Sequence, residues 1–306
     1  MSELQEKPVW YTLLMVLISG GIGLLFGGSV GALLGSMIYQ GEGDFFEAAR
    51  NYSNANLSVP MMVMQGVTSI ISFFAFPYLT WNLIRRKKLD YFSTQSFRWL
   101  TIPLVIGIVL TFVVADSAII QWNQELHLPD FLKSLESWAR LMEDDLAEKT
   151  KLLMQFNSLG DFLIGFVVVA VIAGVCEEFL FRGIIQSELY KGTKNIHLAI
   201  WVSAFLFSAI HFQFFGFVPR LLLGALFGYL YYWSGNIFVP MFAHMVNNGF
   251  SVIMIYLNQQ GVINVDMDST DAIAPWPAIV IFALMTSFLI YYFKKTFDQK
   301  TAADGR

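Results

Sequence analysis

Eight stretches of roughly 20 apolar residues constrain this chain more than any other feature, because that length spans a bilayer as a helix. They cover 9–39, 58–84, 99–122, 159–181, 196–212, 217–233, 237–258 and 275–293. Inside lipid every backbone N–H and C=O must be bonded within the segment, so such runs fold as helices. The expected fold class is all-α: a polytopic membrane protein with about eight transmembrane helices. The runs at 196–212 and 217–233 are the shortest.

Composition agrees. The 306 residues are 56% hydrophobic and only 14% charged, with a mean hydropathy of +0.57. A soluble domain is nearer 45–50% apolar and about 25% charged. A net charge of −4 gives no reason to expect a nucleic-acid partner. The single cysteine, Cys176, excludes an internal disulfide and a multi-cysteine metal site. The first apolar run is too long for a signal-peptide core and reads as a retained span. No internal repeat or low-complexity segment stands out.

Lys and Arg alternate with acidic loops. "RRKK" at 85–88, Lys191 with Lys194, and Lys294 with Lys295 fall on one side. "GEGDFFEAA" after the first run, "EDDLAEK" before the fourth, and Asp266, Asp268 and Asp271 before the last fall on the other. The positive-inside rule then puts both termini in the cytoplasm. The expected organisation is an N-terminal set of three spans over 1–127, an extracytoplasmic insertion over 128–157, a core over 158–258 and a last span with its tail over 259–306. The insertion has apolar residues at helical spacing and acidic faces, as an amphipathic helix or helical hairpin would.

Ionisable residues at membrane depth are candidates for a functional site. They are Asp116, Asp161, Glu177, Glu178, Arg182, His211, Arg220 and His244, joined by the polar Asn247 and Asn248. Glu178 and Arg182 are four apart, share a helix face and can neutralise each other. Glu177 is turned about 100° away and is left without a local partner. Such a carboxylate suits a general acid or base, or pairs with another helix. His211 lies about 15 residues after the loop at Lys191 and Glu177 about 13 before it, or roughly 22 and 20 Å along antiparallel helices. A lone intramembrane histidine is more often a helix–helix hydrogen bond, but one level with an unpaired glutamate also fits a water-activating pair. His244 and Asn248 share a face and serve either as interhelical polar glue or as donors to a carbonyl oxygen or a metal. His244 is only about 8 residues, or roughly 12 Å, from the start of its run, so the "WSGN" turn at 233–236 is expected to dip into the membrane.

Three motifs carry a resemblance. "EEFLFR" at 177–182, "FSAIH" at 207–211 and "HMVNN" at 244–248 are similar to the EExxxR, FxxxH and HxxxN motifs of the CPBP family, which includes CAAX prenyl endopeptidases and bacteriocin-processing or immunity proteins. The resemblance covers about 158–258. It implies an intramembrane endopeptidase with Glu177, His211, His244 and Asn248 as catalytic residues on three helices of the C-terminal half. Glu178 and Arg182 would support them. The substrate would be a peptide or lipidated protein at the bilayer, of CAAX-type or hydrophobic character. Zinc is a possible cofactor through Glu177, His211 and His244, but HExxH is absent and metal-free water activation is preferred. The alternative is a non-catalytic membrane partner or bacteriocin-immunity protein of the same fold; a proton-coupled transporter is disfavoured by the scarcity of other buried charges.

Three other signals are set aside. "GEGD" at 41–44 matches an aspartyl-protease pattern but lies in an acidic loop. "YWSG" at 232–235 lacks the leading glycine of a serine-nucleophile motif. Cys176 reads as a small core residue. Asp116 and Arg220 are expected to pair or to line a cavity, without a catalytic role.

Overall fold

The structure is a computed structural model that describes residues 7–51, 55–96, 98–264 and 274–303. Asp266, Asp268 and Asp271 lie outside the described residues. Among the described residues, nine helices of 14 residues or more organise the chain: α1 Val9–Ile38, α2 Ser58–Arg85, α3 Thr101–Gln124, α4 Lys133–Leu153, α5 Leu159–Thr193, α6 Ile196–Ala209, α7 Phe217–Ser234, α8 Phe238–Gln259 and α9 Trp276–Ala303. Among the described residues the one extended pairing is an isolated bridge between Ser93 and Asn236. This is an all-α, multi-pass membrane protein.

Six helices, α1, α2, α3, α5, α8 and α9, are long and apolar enough to cross a membrane. The other two expected spans are helical but fall short of that standard. α6 has 14 residues. α7 has 18 residues, but Arg220 and three tyrosines dilute its apolar character. α5 runs 35 residues, well past the expected end at 181, because Glu178 and Arg182 neutralise each other and do not terminate the helix.

α1 and α2 pack through glycine. Gly23, Gly27, Gly31 and Gly35, one per helical turn, are buried against α2. A Cβ on Gly31 would stand 2.6 Å from the Met64 carbonyl oxygen. Lipid tails are as apolar as leucine, so helices in a bilayer associate through such close contact. The four-residue spacing of these glycines is visible in the sequence itself.

Hydrogen bonds at one end of the bundle fix the order of the helices. Arg85, at the end of α2, donates through Nε to Glu188 Oε1 at 2.9 Å and through Nη1 to the Lys7 carbonyl at 2.7 Å. This ties the start of α1 and the ends of α2 and α5 together. Arg98 reaches the Thr296 carbonyl at 3.4 Å, so the end of α9 lies there too. Arg85 is thus a buried partner of Glu188, not a surface charge like its neighbour Arg86.

The turn between α7 and α8 sits deeper. Ile237 N donates to the Phe92 carbonyl, and Phe92 packs against Gly183 and Phe179. Gly183 lies ten residues before the end of α5, about 15 Å inward at 1.5 Å per residue. Gly235 makes the turn in the left-handed region at φ 60°, and the strip 93–95 covers it. The inward step of 233–236 lets His244, near the start of α8, meet the middle of α5.

At the opposite end the insertion is a single helix, α4, with no hairpin. Ser58 ties its C-terminal end to the start of α2. Glu143 accepts from Phe215 N at 2.8 Å, and the Arg140 guanidinium lies 4.0 Å over the Phe215 ring. α4 therefore clamps the loop that follows His211.

Candidate active site

The site is built at the middle of α5, where two π-helical stretches, Phe166–Ile172 and Phe179–Gln186, flank one α-helical segment, Ala173–Glu178. Such widened turns leave carbonyls for outside donors and are frequent at functional sites. Here Asn248 Nδ2 donates to the Val169 carbonyl at 2.9 Å and Ser203 Oγ to the Phe181 carbonyl at 2.8 Å. α8 and α6 are thereby fastened to α5 on either side of the two glutamates.

Glu178 is the hub. Its side chain is wholly buried, and one oxygen, Oε1, accepts from Arg182 Nη1 at 2.7 Å and faces His244 Nδ1 at 2.8 Å. A carboxylate already accepting from Arg182 acts as acceptor to His244 as well, so the His244 proton sits on Nδ1 and Nε2 is left for other chemistry. An acid partner on one imidazole nitrogen orients the ring and strengthens the other nitrogen as a base or ligand. The i,i+4 pairing was legible from spacing; the bond to His244, across 66 residues, was not.

Arg182 is held from three directions. Its Nη2 donates to the Gly224 carbonyl at 2.9 Å, and its guanidinium lies 4.5 Å from the centre of the Phe207 ring. One turn on, Gln186 donates to the Gly228 carbonyl at 3.1 Å. Glycine matters here for approach: a Cβ on Gly228 would stand 2.7 Å from Gln186 Oε1. Two rungs four residues apart on each helix thus join α5 to α7 in the interior.

Phe207 connects the two histidines. Its ring meets His211 edge-on at 5.2 Å and His244 at 5.8 Å between centroids. His211 follows the end of α6, and its Nδ1 lies 2.8 Å from the Phe207 carbonyl. A carbonyl can only accept, so this nitrogen too carries the proton and Nε2 presents a lone pair. Both imidazoles are thus held in the same tautomer, with the proton on Nδ1.

Asn248 shares the His244 face of α8, as the spacing implies. One amide hydrogen is engaged by Val169, and its oxygen accepts from Asn247 Nδ2 at 3.1 Å. One donor hydrogen remains. Glu177 makes no hydrogen bond among the described residues. Within electrostatic range of it lie His244, Glu178, Arg182 and Arg220.

Comparison with known proteins follows the same residues. Positions 159–250 match the family model for the Type II CAAX prenyl endopeptidase Rce1-like group. This stretch belongs to the CPBP family. The CPBP segment is similar to the membrane-embedded CAAX protease MroQ of Staphylococcus aureus, 33% identical over 100 residues, or 31% of this chain and 40% of that one. It is also similar to the putative membrane peptidase YdiL of Bacillus subtilis, 34% identical over 100 residues, or 31% and 41% of the two chains. A third relative, the uncharacterized protein YpbD of Bacillus subtilis, is 31% identical over 84 residues, 26% of this chain and 40% of its own. The chain thus matches about two fifths of the length of each. No solved structure gives a significant match.

A zinc ion in the CPBP core would need Glu177, His211 and His244 as a converging set. Among the described residues no three His, Cys, Asp or Glu side chains gather as a metal-holding group.

Other sequence signals resolve as structure. Asp161 is not a buried charge: it lies in the first turn of α5, where the N-cap Ser158 donates to its carboxylate and accepts from its backbone N–H. Asp44 of "GEGD" caps the short helix Phe45–Asn51 by accepting from Phe46 N and Glu47 N. Cys176 is buried in the core. Asp116 and Arg220 form no ion pair with each other but line one cavity.

Proposed function

We propose that this chain is an intramembrane endopeptidase acting on a membrane-associated peptide of CAAX-type or hydrophobic character. The observation that carries the reading is the bridge from Arg182 through Glu178 to His244, beside a glutamate with no hydrogen bond of its own. A purely structural ion pair would not require the third member.

Glu177 takes a proton from water as the oxygen attacks the scissile carbonyl. His211, fixed by the Phe207 carbonyl, directs its Nε2 lone pair at the same water. Negative charge develops on the carbonyl oxygen, and donors placed for that charge lower the barrier. His244 supplies one such donor when both ring nitrogens are protonated, and Glu178 is its counter-charge. The remaining amide hydrogen of Asn248 supplies the second. Glu177 then passes its proton to the departing amine as the C–N bond breaks, which restores the carboxylate.

The Lys- and Arg-bearing end, where Lys7 and Thr296 lie, is assigned to the cytoplasm by the positive-inside rule. The test is cleavage, in heavy-oxygen water, of a peptide ending in farnesyl-cysteine and three aliphatic residues by the protein in liposomes. Mass spectrometry should find one heavy oxygen in the new carboxyl group. Intact peptide with wild-type protein would contradict the reading. Loss of cleavage on chelation, restored by zinc, would contradict its metal-free form.

A further inference from the structure

A cavity of about 320 Å³ opens between α3, the start of α7 and α8. Its walls are mostly apolar, with Phe112 and Leu223 among them, yet Asp116, Arg220, Asn247 and Ser251 also line it. Asp116 is only 7% exposed, and its Oδ1 is bonded to nothing among the described residues. Arg220 donates through Nη2 to Gln213, but its Nη1 is buried and equally unpartnered. An orphan acceptor and an orphan donor of opposite charge thus share one cavity without pairing. Leaving such groups bare costs stability, which favours an external partner that satisfies both.

The cavity adjoins the active site. Arg220 lies within electrostatic range of Glu177 and His211, and Asn247 donates to the oxygen of Asn248. Any peptide cut inside a bilayer must first be unwound. Its N–H and C=O groups then lose their intrahelical partners where no water replaces them. A terminal carboxylate in the cavity would be repelled by Asp116, and an ammonium group by Arg220. A neutral peptide group suits both.

We propose that this cavity is the subsite for the unwound main chain of the substrate beside the scissile bond, with Asp116 Oδ1 accepting a peptide N–H and Arg220 Nη1 donating to a peptide C=O. The apolar walls take the flanking side chain. This assignment rests on the endopeptidase reading and names how that site holds its substrate.

The test measures binding, so it does not depend on turnover. A dansyl-labelled peptide ending in farnesyl-cysteine and three aliphatic residues is titrated against Glu177→Gln protein in detergent. A series carries one N-methyl group at each position around the cysteine. N-methylation at one position should weaken binding about tenfold, the loss of one charge-assisted bond. Adding Asp116→Leu should bring that penalty below about threefold, whereas Asp116→Asn, which keeps the carbonyl oxygen, should retain most of it. Arg220→Gln should weaken acid and C-terminally amidated peptides equally. Equal N-methyl penalties with Asp116 and with Asp116→Leu, no binding at all, or a role for Arg220 that vanishes on amidation would each overturn the subsite. Cleavage by Glu177→Gln at the wild-type rate would instead strike the catalytic reading and leave the binding comparison standing.

Discussion

Glu178 Oε1 stands 2.8 Å from His244 Nδ1, across 66 residues of chain, and accepts from Arg182 at 2.7 Å with the same atom. The relationship makes the second glutamate of the pair a positioning residue for the third motif. We expect Glu178→Gln, which keeps the shape and removes the charge, to lower kcat about 10- to 100-fold with little change in KM, as loss of an orienting carboxylate does. Steady-state cleavage of the farnesylated peptide measures it.

Removing the other end of that bridge tests the fold. Arg182→Met leaves Glu178 buried without its cation, and its side chain is 0% exposed. Breaking one partner of a buried pair costs about 3–5 kcal/mol. Unfolding in detergent should report a loss of that size.

A second buried pair makes the same point away from the site. Glu188 accepts from Arg85 Nε at 2.9 Å and from Trp81 Nε1 at 3.1 Å. Glu188→Ala should destabilise the protein by about 3 kcal/mol or more. Protease nicking near 7 and 86 should rise, because the start of α1 and the end of α2 lose their common tie.

The glycine seam between α1 and α2 sets another expectation. Gly31→Leu must displace the Met64 backbone, since a bare Cβ already comes within 2.6 Å of its carbonyl oxygen. Overpacking of this kind costs about 1–3 kcal/mol. The denaturation midpoint of the variant should fall, while Gly28→Leu, where a Cβ meets nothing within 4 Å, should leave it unchanged.

The α4 insertion gives the protein an acid sensitivity. Glu136 accepts from Leu128 N at 2.8 Å and from Arg140 and faces His127, which together hold its carboxyl down from 4.5 to about 2, the Leu128 bond most of all. A lowered folded value means the stabilisation is complete above 4.5 and lost as pH falls toward about 2. The stability difference between wild type and Glu136→Gln should therefore be steady above pH 5 and disappear near pH 2. Denaturation midpoints across that range measure it.

Much of the fold was legible because apolar runs have a required length, and the helices largely follow them from Val9 to the last span. The i,i+4 ion pair and the shared face of His244 and Asn248 were legible from helical periodicity. The bond from Glu178 to His244 was not, since it depends on the inward step of the turn at Gly235. Nor was the bond from Asn248 to Val169, because nothing local in 166–172 signals a π-helical carbonyl open to an outside donor. The place of Asp161 is ambiguous in the sequence, because an acidic residue at the head of an apolar run looks alike whether it is buried or sits in a capped first turn.

The proposed catalysis rests on Glu177 as the base that activates water. Its most direct test is kcat/KM for Glu177→Gln against wild type on the farnesylated peptide in liposomes. Removal of a general base should lower it at least about 100-fold, with binding of the dansyl peptide retained. Cleavage within about threefold of wild type, a difference of under 1 kcal/mol in the barrier, would contradict it.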